Sequence, residues 1–212
     1  MRIIIFFSII TALLAPAHLA AQPAWFTDFP VWSSSSTNVT TSAVMGDVDG
    51  DGDLDMVCGN FGENTLYINV NGTFASTPDW SFGSTDTTLS VALGDVDGDG
   101  DLDLVCGNYG QGNTLYENIG GTFLSAPIWS SSPTNATYSV ALGDVDGDGD
   151  LDLVCGNSSY ESNTLYENTN GTFVSTPIWS SGATNETQSV ALGDVDGDGD
   201  LDLACGNRYQ SN

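Results

Sequence analysis

The chain contains no lysine, a single histidine (His18) and only two arginines, Arg2 and Arg208. Basic side chains are the groups that grip nucleic-acid phosphates, so their near absence excludes nucleic acid as a partner. An acidic chain is also repelled by anionic lipid surfaces. The one long apolar run, Ile3 to Leu14, is shorter than the roughly 20 residues that a membrane-spanning helix needs. No later stretch shows an apolar period of 3.6, so amphipathic helices are not expected either. What is present is acid: 28 Asp and Glu in 212 residues, for a net charge of −26. Charged residues are still only 14% and apolar ones 40%, which is enough for a packed core and unlike the composition of disorder. The natural counter-ion of clustered carboxylates is a hard cation.

Met1-Arg2, the apolar run and the small-residue stretch Pro16 to Gln22 have the layout of a secretory signal. Residues 1–21 are read as that signal, cut between Ala20 and Gln22, and residues 22–212 as the exported repeat segment. An uncleaved anchor is the alternative. The expected location is secreted, either extracellular or on the cell surface. Export removes Arg2 and His18, leaving no His and no Lys. No Ser-His-Asp or Cys-His pair, Schiff-base lysine or His-containing zinc site can then be built. Carboxylate-pair chemistry remains open in principle. The chain is nevertheless read as a non-enzyme, because no unit carries an unusual polar cluster beyond the extra acids Asp79 and Asp86.

Internal repetition organises the rest. Gly-Asp-Val-Asp-Gly-Asp-Gly-Asp-Leu-Asp occurs four times, its first Asp at 47, 95, 144 and 194, at intervals of 48, 49 and 50 residues. Residues 90–108 and 139–157 are identical, and 189–207 differ from them only at Ala204. Asn-Thr-Leu-Tyr recurs at 64, 113 and 163, Gly-Thr-Phe at 72, 121 and 171, and a tryptophan at 80, 129 and 179. Each unit reads as four short strands, such as Ser90–Leu93, Leu102–Cys106, Thr114–Glu117 and Thr122–Trp129. Pro127 marks the last as edge-like. Four strands in 48–50 residues fit an all-β fold, a β-propeller built from such blades. Phe26 to Trp32 matches Phe123 to Trp129, so the segment opens on a lone fourth strand and ends two strands into its last unit. The reading is an incomplete, truncated propeller from a longer array; the alternative is a short protein that closes irregularly or pairs with another copy.

In the loop Asp95 to Asp103, carboxylates stand at positions 1, 3, 5, 7 and 9 and glycine at position 6. Alternation at 1, 3 and 5 aims three carboxylates into a tight loop, and Gly100 permits the left-handed turn that wraps it around an ion. Asp101 offers its carbonyl and Asp103 closes the shell, a Ca²⁺-like set of oxygens. The four loops hold 20 of the 28 acids. An EF-hand is excluded, because position 12 is Cys58, Cys106, Cys155 or Cys205 and the flanks are strands.

These blocks, with Asn-Thr-Leu-Tyr-Glu-Asn and Gly-Thr-Phe, resemble FG-GAP/VCBS repeat proteins, the family of the integrin α-type propeller. The resemblance spans residues 24–212. It implies a propeller, often seven-bladed, with Ca²⁺ in the hairpin between the first two strands of a blade. Carried over to this sequence, the ligands are Asp47, Asp49, Asp51, Asp53 (through its carbonyl) and Asp55 in loop 47–55. The corresponding sets are Asp95, Asp97, Asp99, Asp101 and Asp103, then Asp144, Asp146, Asp148, Asp150 and Asp152, then Asp194, Asp196, Asp198, Asp200 and Asp202. About one Ca²⁺ per loop is expected. Only four loops are present, which departs from a full ring.

The cysteines fall one per unit on the same strand face as two leucines and are read as small buried residues, not as disulfides. The repeated Trp and Tyr are read as packing residues, with a sugar-stacking platform as the sharper alternative. Asn38, Asn71, Asn135, Asn157, Asn170 and Asn185 head glycosylation sequons. The functional expectation is a secreted calcium-stabilised scaffold for binding or adhesion, with an extracellular protein or glycan as partner. A lectin, or the non-catalytic part of a larger glycan-active enzyme, are the alternatives.

Overall fold

The computed structural model describes residues 30–82, 86–182 and 185–209. The signal and most of the lone opening strand lie outside the described residues. All regular structure within them is β, and no helix there is long and apolar enough to cross a membrane.

Three four-stranded antiparallel sheets and one two-stranded sheet follow one another in chain order. The first holds β1 (Val39–Gly46), β2 (Asp55–Phe61), β3 (Thr65–Tyr67) and β4 (Trp80–Ser81). The second holds β5 (Thr88–Gly94), β6 (Asp103–Asn108), β7 (Thr114–Tyr116) and β8 (Trp129–Ser130). The third holds β9 (Thr137–Gly143), β10 (Asp152–Asn157), β11 (Thr164–Tyr166) and β12 (Trp179–Ser180), and the fourth β13 (Thr187–Gly193) and β14 (Asp202–Asn207). The sheets are propeller-like blades, but they do not close into a ring.

The fourth strand is shorter than expected. Of Thr122–Trp129, Phe123 makes only an isolated bridge to Asn118, and ladder pairing is confined to Trp129–Ser130 against Thr114 and Leu115. The third strand is three residues long, and Pro127 has no N–H to donate. Each first strand also carries a bulge, between Thr88 and Ser90 in the second unit and at the matching place in the others. A bulge resets the alternation of side chains. It lets Thr88 and Val91, three residues apart, both reach Gly59 of the preceding unit, where a Cβ would stand 2.9 Å from each.

The core lies between the sheets. Val96, Val105, Leu115 and Trp129 of one unit pack on Val140, Leu153, Cys155, Tyr166 and Phe173 of the next. The preceding junction repeats this with Val48, Val57 and Leu66 on Val91, Leu104, Cys106, Tyr116 and Phe123. Trp129 meets the rings of Tyr166 and Phe173 nearly edge-on at 5.3 and 5.1 Å. Trp80 meets Tyr116 and Phe123 in the same way, and Trp32 meets Tyr67. Burying each such ring or leucine stabilises by about 1.5–3 kcal/mol. Glycine makes the close approach possible: Leu142 and Leu151 lie over Gly94, each 2.8 Å from where a Cβ would stand. Gly94→Val should therefore cost about 1–3 kcal/mol through overpacking, read as a lower urea midpoint with unchanged slope.

All four cysteines are free, and Cys58, Cys106 and Cys155 are buried. Each of the last three Sγ atoms accepts an amide N–H from the preceding unit, from Asn64 to Cys106, Asn113 to Cys155 and Asn163 to Cys205, at 3.4, 3.2 and 3.3 Å. Burial pushes the Cys106 and Cys155 thiols up to about 12. Cys205 is only half-buried, and its thiol is raised by the same cause. The thiolate is the reactive form. In the folded chain, iodoacetamide should label Cys205 first and leave Cys106 and Cys155 untouched until denaturant is added, as read by peptide mass mapping. Equal labelling of all four would contradict this packing.

Candidate metal centre

Each acidic loop links the first and second strands of a unit, and two glycines shape it. Gly98 and Gly100 have φ of 77° and 98°, the left-handed region that side chains other than glycine's rarely enter. The sequence pointed to the second of these; the first does the same work. The backbone then folds over its own carboxylates. Gly100 N–H donates to Asp95 Oδ2 at 3.1 Å, Asp99 N–H to Asp97 Oδ1 at 3.1 Å and Asp101 N–H to Asp99 Oδ1 at 2.9 Å.

The ninth position is a clamp as well as a candidate ligand. Asp103 is buried, and its Oδ2 accepts from Val96 N–H at 3.0 Å while Oδ1 accepts from Asn118 N–H at 2.9 Å. One carboxylate thus ties the loop to the turn after the third strand. Asp55 and Asp152 make the same pair of bonds, to Val48 and Asn69 and to Val145 and Asn168. A carboxylate oxygen carries two lone pairs, so each can accept one N–H and still face an ion. Loss of solvation pushes the Asp103 carboxyl up to about 6; the two N–H donors oppose this, and Asp97 and Asp99 reinforce it.

Candidate ligand oxygens within 4.8 Å of one another come from Asp47, Asp49 and Asp55, from Asp95, Asp97 and Asp99, from Asp144, Asp146 and Asp152, and from Asp194, Asp196 and Asp202. The first and third positions therefore join in every loop. The fifth joins only as Asp99, in the one loop whose ninth-position aspartate, Asp103, does not join, and Asp51, Asp148 and Asp198 stand outside the triads. The seventh-position side chains are not members either: Asp53 Oδ2 accepts from Asn71 N–H at 3.1 Å and Asp101 Oδ2 from Gly120 N–H at 3.4 Å. Asp150 and Asp200 are likewise outside.

Two atoms test whether a cation suits these loops. Asp47 Oδ1 and Asp95 Oδ1 are buried and have no hydrogen-bond partner. A buried anionic oxygen without a donor is strongly unfavourable, and buried charges are as a rule paired or coordinate metals. An all-oxygen set of this kind suits a hard cation. In the third and fourth loops the matching oxygens, Asp144 Oδ1 and Asp194 Oδ1, accept from Gly147 and Gly197 N–H instead.

The asymmetry comes from the neighbouring unit. Asn118 Nδ2 donates to Val48 O at 2.8 Å and Asn168 Nδ2 to Val96 O at 2.7 Å, so the turn of one unit covers the loop of the unit before it. The repeated Asn of Asn-Thr-Leu-Tyr-x-Asn was the visible signal for this cover, but nothing in its spacing showed which loop it would reach. Among the sequons, Asn157 is fully buried, its amide donating to Ser162 O at 2.8 Å, and cannot carry a glycan in the folded chain.

Solved structures share the fold. The computationally designed Ika4 protein matches with a TM-score of 0.53 and 12% identity over 82% of this chain and 95% of its own. BBS1N in complex with ARL6DN, soaked with mercury, gives 0.53 and 12% over 84% of this chain and 57% of that one. Its lead-soaked counterpart gives 0.49 and 13% over 76% of this chain and 50% of that one, so the chain spans about half the length of BBS1N. No curated protein matches the sequence. The FG-GAP-like repeat matches residues 47–106, 95–155 and 144–205. With the loop, the covering turn and the register repeating as these matches do, the chain belongs to the FG-GAP-like repeat family.

Proposed function

We propose that the chain is a secreted, calcium-stabilised propeller scaffold without catalytic activity, whose ligand is an extracellular protein or a glycan. The observation that carries the calcium reading is the pair of orphaned buried oxygens, Asp47 Oδ1 and Asp95 Oδ1, in loops that repeat the same carboxylate spacing. Bound Ca²⁺ would supply positive charge to the carboxylates and lock the hairpins. The chain's own residues hold that geometry: glycines bend the loop, Asp55, Asp103 and Asp152 staple it to the next turn, and Asn118 and Asn168 close it over. Calcium is favoured over magnesium because flexible loops with many oxygens suit its larger shell. The scaffold reading over an enzyme is supported by the lack of His and Lys beyond residue 21. Trp80 and Trp129 meet neighbouring aromatic rings, which favours packing over a sugar platform.

Calorimetric titration with Ca²⁺ should reveal about four sites, the two covered loops binding most tightly, with affinities of about 10⁻⁴–10⁻³ M or tighter. Saturating Ca²⁺ at about 100 times Kd should add about 2.7 kcal/mol per site by linkage. Absence of binding and of any thermal shift would overturn the calcium assignment.

Asp95→Asn should change sign with the ion. In chelator the variant should melt higher than the parent, because it removes a buried unpaired charge. In calcium it should melt lower, because it removes a ligand. A variant that shifts the melting temperature in the same direction under both conditions would show that Asp95 is no ligand.

A further inference from the structure

One asparagine in each covering turn bonds two acidic loops at once. Asn168 lies in the turn after β11 and is buried. Its backbone N–H donates to Asp152 Oδ1 of its own loop at 2.9 Å. Its side-chain amide donates to Leu151 O of that loop at 3.2 Å and to Val96 O of the preceding loop at 2.7 Å. Asn118 repeats the pattern, bonding Asp103 Oδ1 and Leu102 O of its own loop and Val48 O of the loop before. These bonds join units that each have all four strands.

The turn that carries Asn168 is stiff. Thr169 N–H donates to Thr172 O at 2.8 Å, and Asn170 and Gly171 between them have φ of 56° and 83°. Two left-handed residues in succession are the conformation of a tight hairpin turn. Asn168 Oδ1 accepts from Gly171 N–H at 3.1 Å, which ties the asparagine to that turn. Gly171 also rests on Asp97, where a Cβ would stand 2.7 Å from the Asp97 Cβ. One side of the turn therefore meets the third-position acid of loop 95–103, and the other holds the ninth-position acid of loop 144–152. Both acids belong to the ligand triads of their loops.

We propose that this turn couples the two loops, so that an ion in one raises the affinity of the other. The coupling presupposes that the loops hold calcium, as proposed above. With the turn seated over loop 95–103, Asp95 Oδ1 is buried without a donor, which is unfavourable until a cation pairs it. An ion in that loop therefore strengthens the seating. A seated turn holds Asp152 through the Asn168 N–H and presets the triad of Asp144, Asp146 and Asp152, so the next ion has less to order on binding. By linkage, an ion in loop 144–152 favours the first site by the same factor. Charge acts in the opposite direction, because two bound cations repel. The sign of the coupling thus separates the turn from electrostatics.

The test is calorimetric calcium titration of the full chain with loops 47–55 and 194–202 silenced by Asp47→Asn, Asp49→Asn, Asp194→Asn and Asp196→Asn. Two further proteins keep one site each. In one, Asp144→Asn and Asp146→Asn silence loop 144–152. In the other, Asp97→Asn and Asp99→Asn silence loop 95–103 and leave Asp95 Oδ1 without an ion. The one-site proteins give each affinity alone, and the two-site protein gives the coupling factor. That factor should be about 5–150, the usual range for coupled sites. Asn168→Ala removes both side-chain amide bonds but keeps the N–H to Asp152, and should bring the factor to one or below. A merely structural asparagine would weaken both sites alike and leave the factor unchanged. If Asn168→Ala fails to fold, as read by far-UV circular dichroism, Gly171→Ala lifts the turn from Asp97 and should abolish the coupling equally. A factor of one or less in the two-site protein overturns the coupling and leaves the calcium reading standing. A parent chain that binds no calcium overturns both. A factor that survives Asn168→Ala, or Gly171→Ala in its place, overturns the role of the turn.

Discussion

Five carboxylates inside nine residues repel one another, and most of the repeat is arranged around holding them together. The loop glycines turn backbone N–H groups inward, so that partial positive charge meets the acids before any ion does. The ninth-position aspartate then spends both oxygens on N–H donors from two different segments, Val96 and Asn118 in the second unit. Local turn, strand register and the fold-back of the third strand are thereby coupled through a single side chain. What these donors leave unpaired among the described residues is Asp47 Oδ1 and Asp95 Oδ1, the atoms a cation could pair.

The same logic passes from one unit to the next. A unit alone exposes one apolar sheet face and a loop without cover; its neighbour supplies leucines for the first and an asparagine for the second. Contacts therefore run between adjacent units, as in quasi-one-dimensional repeat proteins, where stability is a sum of unit and neighbour terms. Glycine at 46, 94 and 143 is the counterpart of leucine in the following unit, which explains why so small a residue ends a strand full of large ones. Among the described residues, Trp179, 44% exposed beside a groove lined by Val154, Leu165 and Leu203, has no Tyr and Phe partners like those that surround Trp129.

A buried polar ladder adds specificity to this packing. Thr88 Oγ1 donates to Asn108 Oδ1 within its sheet and accepts from Asn64 of the unit before, all three residues being buried. Such groups tolerate burial only when satisfied. The ladder therefore penalises any slip in the register between sheets, which apolar packing alone would penalise less.

The sequence by itself determined the units, their four-strand order, the metal-suited loops and the burial of Cys58, Cys106 and Cys155. Each of these follows from local spacing: acids on alternate residues, glycines where φ is positive, β-branched runs between turns. It overestimated the fourth strand, because pairing there is limited by the length of the third strand and not by the propensity of residues 122–129. It also treated the four loops as equals, and here only the tertiary structure decided. Residues 90–108 and 139–157 are identical, yet Val96 is buried under Asn168 while the valine of the third loop has no such cover among the described residues. The difference lies in the neighbour, which no local pattern encodes: a loop loses its solvent, and leaves a carboxylate oxygen for an ion to pair, only when the next unit packs over it.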